Sequence, residues 1–174
     1  DFQPSLSTFG HLYELLNKEE YKQFCELEDY QPSSNIWAER IHHHTIDPTN
    51  EGSFKLICSL SDQYAPLFRS KYFNICCDET FDLHRYDALG VDSGKLYVEF
   101  VKKIIAHVQK RGKKVMMWAD ILLEHPEVID ELPENVCFLN WWYWPLPDDD
   151  KIARLAATGR PQIVCPGTST WNRL

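Results

Sequence analysis

Lys71-Tyr72-Phe73-Asn74-Ile75-Cys76-Cys77-Asp78-Glu79-Thr80 is the stretch on which the reading of this chain turns. From Tyr72 to Cys77 the run is mostly apolar and aromatic, free of Gly and Pro, with helical patterns on both sides. That is how a central parallel strand looks in sequence. Asp78 and Glu79 end it abruptly. The carboxyl ends of parallel strands are where ligands and catalytic groups collect in α/β folds, so two acids there are a candidate functional site. Strand alternation puts Asn74, Cys76 and Asp78 on one face and Phe73, Ile75 and Cys77 on the other. The greasier face should pack against helices, and the face carrying Asp78 should point into a barrel interior or cleft. Glu79 joins it only if the chain bends just after the strand. The competing reading makes Asp78 a cap of the following segment and leaves Glu79 solvated.

Working outward, the same grammar repeats. Upstream, Thr49 or Asn50 is a good N-cap for a helix running to about Phe68, with Phe54, Ile57, Ser61, Tyr64 and Leu67 on one stripe. Downstream, Ser93 reads as the cap of a long helix whose buried face is Tyr97, Val101, Ile104, Ile105 and Val108, closed by Gly112. Lys114–Trp118 reads as the next strand and again leads to an acid, Asp120. A short helix around Pro126–Leu132 precedes a strand over Val136–Asn140, which runs into Trp141-Trp142-Tyr143-Trp144. A helix over Ile152–Ala157, ended by Gly159, leads to a last short strand, Gln162–Cys165, and then Pro166-Gly167-Thr168-Ser169-Thr170-Trp171. At the start, Asp1–Gly10 reads as a loop leaving something upstream, followed by helical spacing in Leu12, Leu15 and Leu16.

Strands that alternate with helices, each followed by functional-looking residues, predict an α/β protein with a parallel sheet. A doubly wound sheet and a (β/α)8 TIM barrel both fit the alternation, but chemistry after four successive strands suits a barrel, where every strand end faces one mouth. A whole barrel takes about 250 residues. Residues 1–174 therefore read as a single, partial TIM-barrel domain.

Bulk composition narrows the function. A net charge of −8 and a pI near 5.3 speak against nucleic-acid or anionic-membrane partners, which call for clustered Lys and Arg. No run of apolar residues is long enough to span a membrane, and Asp1-Phe2-Gln3-Pro4 is not a signal peptide. Six Trp favour a cleft that grips apolar faces, those of sugars among them. Cys25, Cys58, Cys76, Cys77, Cys137 and Cys165 show no CxxC spacing and read as small buried residues, which speaks against a disulfide framework or zinc site and leans towards a reducing, cytoplasmic compartment. His42, His43 and His44 are consecutive, so at most two could serve one metal, and no carboxylate or Cys stands at a helpful spacing, which speaks against metal binding there. No metal or cofactor is expected.

The residues also resemble a known family. Phe73-Asn74-Ile75-Cys76-Cys77-Asp78-Glu79 is similar to the His-Ile-Gly-Gly-Asp-Glu signature of family 20 glycoside hydrolases, the β-N-acetylhexosaminidases. Phe9-Gly10-His11 is similar to the family's Gly-His segment after its third barrel strand, Trp118-Ala119-Asp120 to its Trp-x-Asp/Glu after the fifth, and Trp141-Trp142-Tyr143 to its Trp-x-Tyr segment. Cys165 to Asn172 resembles the Pro-Gly-Thr-Ser-Ser-Trp-Asn run of a bacterial branch. The resemblance covers nearly the whole chain, from about strand three or four to strand seven.

It implies an exo-acting enzyme that removes terminal β-linked N-acetylhexosamine with retention, the substrate's own 2-acetamido oxygen being the nucleophile. Glu79 would be the general acid and later the base. Asp78 would orient the acetamido N–H, Tyr143 would bond the acetamido carbonyl, and Trp118, Trp141 and Trp171 would wall the methyl pocket; His11 and Asp120 complete the implied substrate-binding set.

The chain also departs from the pattern. Asn74 stands where the family has His, and Cys76-Cys77 where it has a Gly pair. The family's sugar-gripping Arg near the first strand and its acid near the eighth have no counterpart, so the chain is expected to be an incomplete barrel whose remaining strands come from the rest of a parent chain. Two rivals stay open: a Mg²⁺-dependent barrel enzyme built on Asp78, Glu79 and Asp120, and a carbohydrate-binding remnant that keeps its aromatic platform without turnover.

Overall fold

The computed structural model of the protein describes residues 2–25, 44–144, 146 and 148–167. In chain order the elements are α1 (Tyr13–Leu16), α2 (Glu51–Tyr64), β1 (Tyr72–Asn74), α3 (His84–Asp87), α4 (Ser93–Gln109), β2 (Lys114–Trp118), α5 (Asp120–Glu124), β3 (Cys137–Trp142), α6 (Asp149–Ala157) and β4 (Gln162–Pro166). Short 3₁₀ segments fill the joints, as at Ala65–Leu67 and Pro126–Glu131. The four strands form one sheet in the order β1-β2-β3-β4, every pair parallel. This is the βα alternation expected, with each strand beside its sequence neighbour.

Local chemistry explains the helix ends. Asn50 caps α2, its Oδ1 accepting the Gly52 N–H at 2.8 Å. The cap of α4 is Asp92, one residue before the expected Ser93, and it accepts the Lys95 N–H at 2.9 Å. Ser93 is instead the first helical residue, with its N–H and hydroxyl both donated to Asp87.

The sheet divides the apolar residues between its faces. Phe73, Ile75, Val115, Met117 and Phe138 join Phe9, Ile57, Tyr97, Phe100, Val101 and Ile104 in the main core beneath α2 and α4. Met116, Cys137 and Leu139 form a second cluster on the opposite face, with Trp118 and Cys165 packed on it.

The two sheet edges differ. Beside β1, Asn74 N–H donates to Pro4 O at 2.9 Å and Asn74 O accepts Leu6 N–H at 3.0 Å, so the Pro4–Leu6 backbone runs parallel to β1. The expected loop over Asp1–Gly10 therefore contains a fifth parallel strand position. It was hidden because a three-residue pairing with Pro at its start carries no period to read. At the other edge, Ile163 and Val164 of β4 stand exposed. No helix among the described residues is long and apolar enough to cross a membrane, and Cys58, Cys76, Cys77, Cys137 and Cys165 are free thiols.

Candidate active site

The expected strand over Tyr72–Cys77 stops at Asn74 as a ladder, although Ile75 N–H still reaches Met116 O at 2.9 Å. The reason lies in the next residues. Cys76 and Cys77 have φ of 59° and 67°, and Glu79 has 51°. Left-handed backbone cannot continue an extended ladder, and for residues with a Cβ it costs roughly 1–2 kcal/mol each. This is the bend that Glu79 needs to join Asp78. It falls where the resemblance has a Gly pair, residues that adopt such angles freely.

Neighbouring groups hold the strained turn at nearly every peptide. Asn74 Oδ1 accepts the Cys76 N–H at 2.9 Å, Cys76 O accepts the Trp118 N–H at 3.0 Å, and Cys77 O accepts the Tyr97 hydroxyl at 2.8 Å. Ile75 O accepts the Thr8 hydroxyl at 2.6 Å, and the Glu79 N–H donates to Asp120 Oδ2 at 2.9 Å. Asn74 also donates to Ser5 Oγ, so the residue that replaces the family's His braces the turn rather than entering the cavity. Desolvation pushes the Cys76 thiol up to about 12 and raises that of Cys77 well above its ordinary range, which leaves both as inert packing groups.

His11 lies across both acids. Its Nε2 is 3.1 Å from Asp78 Oδ2 and 3.2 Å from Glu79 Oε2. The hydrogen bond to Asp78, then that to Glu79, raises its pKa to about 10 against the opposing effect of burial, so the ring is an imidazolium at neutral pH. Gly10 makes this approach possible: a Cβ there would sit 2.3 Å from the Asp78 backbone oxygen. Paired backbone bonds, Ile46 N–H to Phe9 O and Leu12 N–H to His44 O, each 3.0 Å, bring His44 alongside. His44 is buried, edge-on to the His11 ring at 4.3 Å and stacked on Phe81.

Asp120, the first residue of α5, is half-buried as a residue, yet its Oδ1 is shut away from solvent with no hydrogen-bond partner among the described residues. Burial pushes its pKa up to about 7; the bond from the Glu79 N–H works against this, and the Asp78 charge adds to it. Its contact is thus with the backbone of Glu79.

The aromatic residues gather at the neighbouring strand ends. Trp118 ends β2, and Trp141 of β3 packs on Tyr143 with ring centroids 4.8 Å apart. Burial raises the Tyr143 phenol, with the charges of Glu79 and Asp78 adding to it. Lys151 lies 5.0 Å over the Trp142 ring. A cavity of about 200 Å³ opens among Glu79, Phe81, Asp120, Trp141 and Lys151. Trp171, His42 and His43 lie outside the described residues.

Asp120 Oδ2 accepts a backbone N–H and Asp78 Oδ2 lies against His11. Sequence reasoning missed His44 and Thr8. A run of three histidines does not say which one the fold turns inward, and a lone Thr in a loop gives no signal at all.

A parallel sheet that brings two adjacent carboxylates, a histidine bridging them, and Trp141 and Tyr143 to its strand ends has the architecture of part of an α/β barrel, with its candidate site where such barrels carry theirs. The sequence matches the glycosyl hydrolase family 20 catalytic domain over residues 4–171, and the chain belongs to that family. Among solved structures it is similar to a Flavobacterium johnsoniae chitobiase, at 20% identity and TM-score 0.68, over 95% of this chain and 25% of that one. It is similar to an exo β-N-acetylglucosaminidase from Vibrio harveyi solved with N-acetylglucosamine, at 19% identity and TM-score 0.67, again over 95% and 25%. A β-N-acetylhexosaminidase from Bacteroides fragilis matches at 18% identity and TM-score 0.67, over 92% of this chain and 31% of that one. The chain thus spans about a quarter to a third of these proteins. No match is found among curated proteins.

Proposed function

We propose that this chain supplies the acid-bearing half of an exo-acting β-N-acetylhexosaminidase, completed into a barrel by further strands of a longer polypeptide, and that its substrate is a glycoside ending in N-acetylhexosamine. The observation that carries this reading is the bridge from one His11 nitrogen to both Asp78 and Glu79, beside Trp141 and Tyr143 and within the family's matched span.

In this mechanism Glu79 protonates the glycosidic oxygen as the bond breaks and later takes a proton from the attacking water. Asp78 orients the acetamido group and offsets the positive charge that develops on it. The His11 imidazolium offsets the repulsion of two carboxylates held side by side. Tyr143 bonds the acetamido oxygen, Trp118 and Trp141 pack on its methyl, and Trp171 completes that wall. Asp120 holds the Glu79 backbone. The open β4 edge is where the next strand docks.

The test is hydrolysis of a chromogenic N-acetyl-β-glucosaminide by the full protein, with and without chelator. Glu79→Gln and Asp78→Asn should each lower kcat/KM by about 10²–10⁴-fold, and activity should survive the chelator. Undiminished turnover in Glu79→Gln refutes the assignment, loss on chelation favours the metal-dependent rival, and sugar binding without turnover favours the remnant.

A further inference from the structure

We infer that the mouth of this site holds a transition-metal dication, bound by His11, His44 and Glu79. One imidazole nitrogen from each histidine and one Glu79 carboxylate oxygen lie within 4.8 Å of one another, the one such grouping among the described residues. The donors come from three separate segments: the turn after the fifth strand position, the chain entering α2, and the end of β1. Local sequence spacing could not show them as a set.

Two imidazoles and one carboxylate make a borderline-soft donor set, which suits Zn²⁺, Co²⁺ or Cu²⁺ and not the all-oxygen preference of Mg²⁺ or Ca²⁺. The charge is favourable too. Asp78 Oδ2 and Glu79 Oε2, 3.1 and 3.2 Å from His11 Nε2, set two carboxylates against the position a cation would take. The geometry is largely preset. His44 is buried and packed between His11 and Phe81, and His11 follows the Gly10 backbone pressed against Asp78. Tetrahedral zinc with nitrogen ligands at about 2.0–2.1 Å requires donor spacings of about 3.4 Å. Rotation of the half-exposed Glu79 side chain closes the remaining gap. His11 and Glu79 keep solvent exposure, which leaves an entry path and an open position for water.

A bound metal occupies the carboxylate assigned to proton transfer, so it acts as a reversible inhibitor, and binding of glycoside and of metal exclude each other. This consequence rests on the functional reading above; the metal site does not.

The test is titration of the full, metal-stripped protein with Co²⁺, followed by its visible d–d absorption and by paramagnetic broadening of histidine ring signals, with Zn²⁺ competition to set stoichiometry. Expected are one ion per chain and broadening at His11 and His44, with His107 on α4 unaffected. Affinity should fall at least tenfold in both His44→Gln and Glu79→Gln, and Zn²⁺ should inhibit hydrolysis reversibly. No stoichiometric binding, or broadening confined to the His84 and His125 pair, overturns the site. Because both readouts on the wild type are independent of hydrolysis and of how the variants fold, Co²⁺ binding in an inactive protein refutes the enzyme and leaves the site standing.

Discussion

Replacing Asp120 with Asn tests the electrostatics of the site in a quantity that can be worked out beforehand. The Asp120 carboxyl is displaced by burial from its ordinary 3.8 to about 7. Between those limits the folded state keeps a proton that the unfolded chain has lost, so stability falls as pH rises from about 4 to about 7 and is level above that. At 1.36 kcal/mol per pH unit the full cost of the ionised carboxylate is about 4 kcal/mol.

Asn keeps an oxygen to accept the Glu79 N–H bond seen at 2.9 Å and removes the ionisation. Urea unfolding of both proteins should therefore give nearly equal stabilities at about pH 4, with the variant pulling ahead through neutrality by as much as about 4 kcal/mol at pH 8. The contribution of His11 is present below about pH 6.5 and lost as pH rises towards about 10. It is common to both proteins and cancels in the difference. Parallel curves, with the same gap at pH 4 and pH 8, would refute the reasoning. A variant less stable at pH 8 would show that the carboxylate is stabilised by its surroundings.

Gly10→Ala puts a Cβ 2.3 Å from the Asp78 carbonyl oxygen; it should destabilise by about 1–3 kcal/mol and, by shifting His11 from the acids, lower kcat/KM about 10²-fold, and unfolding indistinguishable from wild type would dismiss the close approach. Tyr97→Phe removes the hydroxyl bound to Cys77 O at 2.8 Å; leaving that buried carbonyl unpaired should cost about 1–3 kcal/mol by denaturant unfolding, and a change of a few tenths would mean the turn does not depend on it.

The parts of this molecule that were legible in the sequence are those governed by period and composition. Val115 to Trp118 is a short apolar run between a lysine pair and an acid, α4 carries its apolar stripe from Tyr97 to Val108, and both were placed within a residue or two. The acids after β1 were visible because they interrupt an apolar run. What stayed hidden depends on contacts between segments distant in sequence. Cys76 and Cys77 look like ordinary strand residues, yet their positive φ ends the strand early, held by Asn74 just before them and by Tyr97 and Trp118 from other parts of the chain. Asp120 was visible as the acid after β2, but the bond that its carboxylate accepts from the Glu79 backbone N–H was not. His44 could not be singled out from its run because its meaning comes from His11, brought to it by two backbone bonds between segments distant in sequence.

The strictly sequential order of the sheet bears on how the molecule comes into being. Each strand pairs with the one made just before it, so the sheet can grow at a single edge as the chain leaves the ribosome, without waiting for distant partners. At every stage the newest strand is then the exposed one, as β4 is here with Ile163 and Val164 uncovered. Speed of synthesis and risk of misassociation are thereby coupled: a pause after β4 leaves a sticky edge open to another copy.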